Sequence, residues 1–598
     1  VSFDGPRGDK VRFLSEMQGF SSTVDIYTGA IVVSLIIYIA VGNYAGRRVK
    51  KLDDYFVAGR NATTVLIVGT LVASVLSTNI FLGETGFVYE GQAGPYLLWP
   101  PIAAMGYIFG ALMFGRYLRR SRAITVADFF GRRFNSQRVQ TAAGITIILG
   151  LGGYLLAVTQ GAAFLLTHIT DFSFSQGLLI SWASYTAFTM YSGSKGVILT
   201  DTMMFMLFTA VAMLALIFLV QDAGGWSVAV GKLAVLPEKP DLMAWHGMVG
   251  GDSAFSSALD FALWNITLAV AWGLVYAVSP WQSSRYLIAR DEHVVLRAAC
   301  IAAIFLILME LTLYAAGAVI NLSSPGIVPS EEVIIFAALN LLPELLGALL
   351  VAGIMAAALS SASTFLSLVG FSVSNDILRH DSVDETRMLK LSRLIMLAVG
   401  VVTLIIAFIA PLDIFWLTYF VGTLFASSWG PVALMSIWSK KITADAAFWG
   451  IVSGFVFNAG PKAIEYFELA TLPFWLDPIL LGGVVSLVVV LVVSRFGVVS
   501  DEEATYRAEL HKIPASDVSA AKLRFTQYAP VILAVYSVTM CCILLTIYVR
   551  PYQEATGTLA ASGGIDFLTG EAVLVVGGPI VVLPTALIAW RMIRKSYA

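Results

Sequence analysis

The stretch from residue 26 to 46, IYTGAIVVSLIIYIAVGNYAG, runs 21 residues without a charged side chain. At 1.5 Å per residue, a helix of that length covers the ~30 Å hydrocarbon core of a bilayer. The pattern recurs along the chain, at 26–46, 63–86, 94–115, 138–168, 173–190, 197–220, 259–280, 295–321, 345–370, 390–410, 414–438, 445–461, 478–494, 528–549 and 573–590. Numbered zero to fourteen, these fifteen blocks predict an all-α polytopic membrane protein. Hydrocarbon leaves little choice, because every backbone N–H and C=O must be paired within the chain. Charged residues make up 13% of the chain, about half the share usual in a soluble domain.

The loops between blocks orient them. With an extracellular N-terminus, the loops that become cytoplasmic hold 30 of the 37 Lys and Arg, and the other side holds 7. Positive charge collects on the cytoplasmic side of membrane proteins, so an outside N-terminus and an inside C-terminus are expected. The polar first 25 residues lack the charged-then-apolar pattern of a cleaved secretory signal. They read as an extracellular tail.

Motifs for enzymatic chemistry are missing from the sequence. The five histidines never approach HExxH spacing, and Cys300, Cys541 and Cys542 all fall in apolar segments, where small buried hydrophobes are expected. Gly231-Lys232 is followed by Leu233 and lacks the upstream glycine of a phosphate loop, so it reads as a turn. Neither a nucleotide nor a nucleic acid is an expected partner. The expected partners are a small organic solute and lipid, with a protein partner possible through the C-terminal helices.

Polar groups at membrane depth carry the remaining information, since each is costly unless it faces a cavity or a partner. Helix one reads TLVASVLSTNIFLGETGF, with Ser74, Ser77, Thr78, Asn79 and Glu84 among glycines, which suits a helix broken near the midplane. Helix six, WNITLAVAWGLVYAVSPWQ, carries Asn265, Gly273 and Pro280 and predicts a second interruption. Two interrupted helices five positions apart point to two five-helix blocks of inverted topology, residues 63–220 and 259–438. An accessory helix (26–46) precedes them, and an extracellular loop (221–258) joins them. Accessory helices (445–494), a cytoplasmic segment (495–527) and the C-terminal helices with their tail (528–598) follow.

In helix eight, Ala357, Ser360 and Ser361 share one face at i, i+3 and i+4. Serines there either bond back to their own helix and pack small faces together, or offer oxygens to a small hard cation. Spacing leaves both readings open.

AALSSASTFLSLVGFSVSNDIL in helix eight, together with DDYFVAGR and TLVASVLSTNIFLGETGFVYEGQ around helix one, resembles the sodium/solute symporter family. That family includes bacterial proline, galactose and sialic acid transporters and the mammalian sodium/glucose cotransporters. GSKGVILTDTMMF, WGLVYAVSPWQSSRYLIARDE and GPVALMSIWSKKITADAAFWG extend the likeness over residues 26 to 461. The resemblance implies a five-plus-five inverted-repeat core on helices one to ten, with one extra N-terminal helix and about four C-terminal ones. It also implies Na+-coupled symport by alternating access, in a plasma (inner) membrane. Its common sodium site maps to the carbonyls of Ala73, Leu76 and Ala357 and the hydroxyls of Ser360 and Ser361.

Some members hold a second sodium through an aspartate matched by Asp201 and a serine three positions before the hydroxyl pair. That serine is Ala357 here, so the resemblance implies one Na+, with Asp201 as a gating or structural carboxylate. Val75 stands where the proline type has aspartate, and Ile80, Leu268 and Ala271 stand where galactose transporters place polar contacts. A sugar is therefore disfavoured. The expected substrate cavity comprises Ser77, Thr78, Asn79, Trp99, Trp272, Tyr276 and Pro280.

No Lys or Arg falls deep within the assigned spans, so an anionic solute would rely on the N–H groups of a broken helix. A small monocarboxylate or amino acid is the expected solute. Glu84 and Glu310 keep a cationic amine as the alternative, held also by cation–π attraction to Trp99 or Trp272. A transporter-fold sensor or scaffold is the alternative from another class. In the cytoplasmic segment, Ser500 ahead of Asp501, Glu502 and Glu503 predicts a capped helix ended by Pro514.

Overall fold

A computed structural model describes residues 25–250, 255–378, 385–410, 414–466, 469 and 477–597. The tail read as extracellular lies outside the described residues except for Asp25. The architecture is all-helical among the described residues, and eleven helices are long and apolar enough to cross a membrane. In chain order the elements are α1 (Ile26–Gly46), α2 (Leu52–Val57), α3 (Thr64–Ala73), α4 (79–92), α5 (Pro95–Ser121), α6 (Val126–Arg133) and α7 (Gln137–Ile169). There follow α8 (Phe174–Asp222), α9 (Trp226–Leu233), α10 (Ala258–Val278), α11 (Pro280–Ile288), α12 (Glu292–Ile320), α13 (Val333–Asn340) and α14 (Glu344–Ile377). The chain ends with α15 (Glu385–Ile409), α16 (Ile414–Trp438), α17 (Ala444–Tyr466), α18 (Pro478–Val493), α19 (Asp501–Leu510), α20 (Ala520–Thr556) and α21 (Gly570–Tyr597).

The core is the five-plus-five inverted repeat. Its first helix is broken between α3 and α4 and its sixth between α10 and α11, and α8 supplies the fourth and fifth spans. A straight helix of the 49 residues in α8 would be ~74 Å long, more than twice the bilayer core. Gly193 folds it, at φ 56° and ψ −149°. The six residues left between the two spans by sequence reasoning are therefore not a loop. They belong to one helical run with a single non-helical residue. A Cβ at Gly193 would stand 2.5 Å from the Tyr55 carbonyl oxygen, and Ser194 Oγ donates to the next carbonyl, that of Phe56, at 2.6 Å. The sharp turn thus lies against α2.

Both breaks have local causes. Proline at 280 lacks the N–H that would continue α10 and holds Ser279 extended at ψ 147°. Gly273, read from sequence as part of this interruption, lies within α10 and meets Gly106 of α5 backbone to backbone. In the first helix, the Ser77 N–H turns back to the Val75 carbonyl at 2.8 Å, and Ser77 Oγ accepts from the Asn79 N–H at 3.1 Å. This local side-chain bond replaces a helical turn.

The half-helices α3 and α11 are tied together. Ala62, just before α3, pairs with the strand-like Ala289 after α11, through Ala62 N to Ile288 O (3.1 Å) and Arg290 N to Ala62 O (3.0 Å). Around this core, α8 packs on α14 and α1, α5 on α10, and α17 on α18. α21 packs on α20, and its end is clasped to the core. Tyr597 donates to Glu292, Arg116 reaches Ser596 Oγ at 2.9 Å, and Arg120 pairs with Glu292 at 2.5 Å. In the segment before α20, Ser500 and Glu503 form the expected capping box, and α19 ends at Leu510.

Gly193→Ala is expected to lower the thermal unfolding midpoint in detergent, by the ~1–3 kcal/mol typical of a strained backbone plus the clash at Tyr55. Gly152→Ala, with nothing within 4 Å of the new Cβ, is the control and is expected to unfold like the unmodified protein.

Candidate functional site

Breaking α3 at Ala73 frees carbonyls that a continuous helix would have paired, and in an apolar interior each needs another partner. The partners come from α14. Ser360 Oγ lies 2.9 Å from both the Ala73 and the Ala357 carbonyl oxygens and can donate its one proton to either, while Ser361 Oγ lies 3.4 Å from the Ala73 carbonyl. All three α14 residues are fully buried, as are Ala73 and Leu76. Leu76 sits in the unwound stretch, its N–H on the Val72 carbonyl at 3.0 Å.

Oxygens ~3 Å apart are what the shell of a hard cation presents when metal–oxygen distances are ~2.3–2.6 Å. The donor set is neutral hydroxyls and carbonyls. Among the described residues no three His, Cys, Asp or Glu cluster in a way that could hold a metal ion. Such oxygens suit an alkali cation rather than a transition metal.

Asp201 lies three residues further along both helices, with Thr70 on α3 and Thr364 on α14. Thr70 Oγ1 donates to Asp201 Oδ2 at 2.6 Å and Thr364 Oγ1 at 3.4 Å. Arg285 of α11 reaches the same oxygen at 3.6 Å and also donates to Thr364. Asp201 and Arg285 are 0% and 2% exposed in their side chains, so this is a buried ion pair. The expectation that no basic residue lies deep in a span is corrected here. The apolar block ends near Pro280, but the helix resumes beyond the break and carries Arg285 inward. Gln282, also on α11, donates to Ser74 Oγ at 3.2 Å and joins the two breaks.

The residues expected to line the substrate cavity divide into groups. Asn79 Nδ2 donates to Glu84 Oε1 at 3.1 Å, and Tyr314 OH donates to Glu84 Oε2 at 2.5 Å. Trp99 stacks on Tyr96 with centroids 5.7 Å apart, and Tyr96 meets Tyr314 edge-on at 5.0 Å. Trp272 and Tyr276 are neighbours at 5.7 Å, and Tyr276 stacks on Tyr107 of α5 at 5.1 Å. Thr78 is packed against Gly161 of α7, and Ser77 is engaged by Asn79. Pro280 lies apart from Trp99, in a small cavity shared with Phe56, Thr125 and Arg285. Over the end of α4, Lys239 donates to the Tyr89 carbonyl at 2.7 Å and sits 3.4 Å from that ring's centre. Burial lowers its titration to about 8, against the opposing pull of Glu90.

Sequence reasoning missed Arg285, Thr70, Thr364, Tyr96 and Tyr314. Only Arg285 left a signal, as the one cation in a helix opened by proline.

A sequence profile described as the Sodium:solute symporter family matches residues 55–454. Among curated relatives, the sodium/pantothenate symporter of Escherichia coli (strain K12) is 26% identical over 486 residues, 78% of this chain and 96% of that protein. The high-affinity proline transporter of Bacillus subtilis (strain 168) is 24% identical over 449 residues, 71% of this chain and 89% of that protein. Among solved structures, a substrate-bound, outward-open Na+-coupled sialic acid symporter superposes with a TM-score of 0.68 at 18% identity. That match covers 80% of this chain and 99% of the other. A nucleobase-cation-symport-1 family transporter in a closed conformation superposes with a TM-score of 0.50 at 12% identity, over 76% and 97% of the two chains. These two structures bear on the fold alone.

Removing one member of a buried ion pair strands the other charge, at ~3–5 kcal/mol, while replacing both is close to neutral. Asp201→Ala and Arg285→Ala are each expected to depress the unfolding midpoint sharply. The double variant Asp201→Asn with Arg285→Met is expected to recover most of the loss, read by thermal unfolding in detergent.

Proposed function

Because this chain belongs to the sodium:solute symporter family, whose profile covers most of it, we propose that its Na+-coupled transport is organised by Ala73, Leu76, Ala357, Ser360 and Ser361. The observation that carries the assignment is the freed Ala73 carbonyl, which meets both α14 hydroxyls across the helix break. Na+ entering there turns the hydroxyl oxygens toward itself and takes over the task of satisfying the carbonyls. Occupancy then ties α3 to α14 and biases the ensemble toward the conformer in which the two helices are held together.

One Na+ per cycle is the reading we favour, since Asp201 already has Arg285, Thr70 and Thr364 as partners. Asp201 serves as a structural or gating carboxylate that locks α3, α8, α11 and α14. For the solute, relatives described as a sodium/pantothenate symporter and a high-affinity proline transporter support a small organic carboxylate or amino acid. The pocket for it is assigned to Asn79, Trp99, Trp272 and Tyr276, near the first break. Sugars are disfavoured, because Ile80, Leu268 and Ala271 offer no hydrogen bonds from their side chains.

We place the N-terminus outside and the C-terminus inside a plasma membrane, with about fifteen spans and repeats at 63–220 and 259–438, on the distribution of Lys and Arg. No enzymatic step is assigned. The exposed apolar residues of α20 and α21, among them Val535 and Ile588, are read as lipid-facing.

Purified protein in liposomes is expected to take up L-proline or pantothenate only with an inward Na+ gradient. Ser360→Ala and Ser361→Ala are each expected to raise the Na+ concentration for half-maximal uptake about tenfold, equivalent to ~1.4 kcal/mol of lost ion affinity. Unchanged Na+ dependence in both variants would remove the site assignment.

A further inference from the structure

Two buried carboxyl groups lie beyond the cation site, and symport as described gives neither a task. Glu84 on α4 is 6% exposed, and Glu310 on α12 is 0% exposed. They are electrostatic neighbours. Among the described residues, no ion pair reaches either of them. The titratable side chains that interact with the pair are all tyrosines: Tyr96 and Tyr107 of α5, Tyr154 of α7, Tyr276 of α10 and Tyr314 of α12.

The two acids are provided for very differently. Glu84 accepts from the Asn79 amide on one oxygen and from the Tyr314 hydroxyl on the other. Both oxygens of Glu310 are buried without a hydrogen-bond partner among the described residues. The indole N–H of Trp99, stacked on Tyr96 beside Tyr314, is likewise buried and unpartnered. Two carboxylates without a cation cannot both stay charged in such surroundings, since repulsion and lost hydration act together. Donors decide which one keeps its charge: they are spent on Glu84.

We propose that Glu84 and Glu310 form a proton-binding site within the membrane core, in which Glu310 carries one exchangeable proton beside the Glu84 carboxylate. The ligand is H+ itself. Its binding makes an O–H bond on a Glu310 oxygen, and its release breaks that bond and hands the proton to water. With the proton bound, the pair holds one negative charge, on Glu84, which the Asn79 and Tyr314 donors face. The assignment goes beyond Na+ symport and does not depend on which solute is carried.

Infrared spectroscopy of the purified full chain in H2O and in D2O tests this without any solute. The expected result is a protonated-carboxyl C=O band that shifts on deuteration, is lost in Glu310→Gln, and persists at a shifted frequency in Glu310→Asp. The aspartate variant keeps the test open where the glutamine variant does not fold. The proposal is overturned by a wild-type spectrum without such a band, or by a band untouched in both variants. It is equally overturned if ethylammonium abolishes the wild-type band, because the site would then hold an organic cation between two carboxylates. Uptake of L-proline and pantothenate by the same preparation reports separately on the symport reading, so failure there leaves the spectra to decide the proton site.

Discussion

A helix that stops inside hydrocarbon leaves carbonyl oxygens that water cannot reach, and this chain is organised around answering that demand. The oxygen of Ala73 finds its partners on a different helix, α14, rather than one turn along its own. A structural weakness in the first helix thereby becomes a link between the first and eighth spans. Glycine and serine are the residues that permit it, through close backbone approach and through hydroxyls that either donate to a carbonyl or turn an oxygen toward an ion. The second break is joined to the first, since the Gln282 amide of α11 donates to the Ser74 hydroxyl.

Charge is handled by the same logic of local neutrality. Asp201 and Arg285 cancel one another between α8 and α11, with two threonines on the same Asp201 oxygen. Nearer the aqueous boundary, Arg120, Glu292 and Tyr597 join the last helix to the core, with His293 held by Thr526 and the Asp517 carbonyl alongside. The C-terminal helices, which resemble additions when read as sequence, are in this way fixed to the start of α12. The Glu84 and Glu310 pair departs from that logic, with two acids side by side and, among the described residues, no ion pair to either.

Much of this was legible because the signals are one-dimensional. Blocks of ~20 apolar residues, the serine pair at i and i+1, Pro280 and the Ser500 cap each announce a local structure whose cause lies within a few residues. What escaped depends on where distant segments meet. Gly193 looks like part of a polar loop, GSKG, until its φ of 56° shows that one residue suffices to reverse the chain. Arg285 lies past the end of an apolar block, so hydropathy assigns it to solvent, whereas the continuation of the helix through the break buries it against a carboxylate 84 positions away. Thr78 has Gly161 as its neighbour across the interface, and the missing side chain there is what accommodates it. Pairings of this kind leave no periodicity to read.

The short bridge between Ala62 and Ala289 has a mechanical meaning. With Gln282 held at Ser74 as well, α3 and α11 are pinned to each other at both ends and behave as one lever. A lever has a single degree of freedom where two loose rods have several. A conformer in which one half-helix swings while the other stays put has to break these hydrogen bonds first, at about 1 kcal/mol each, so the two halves move more readily together than apart.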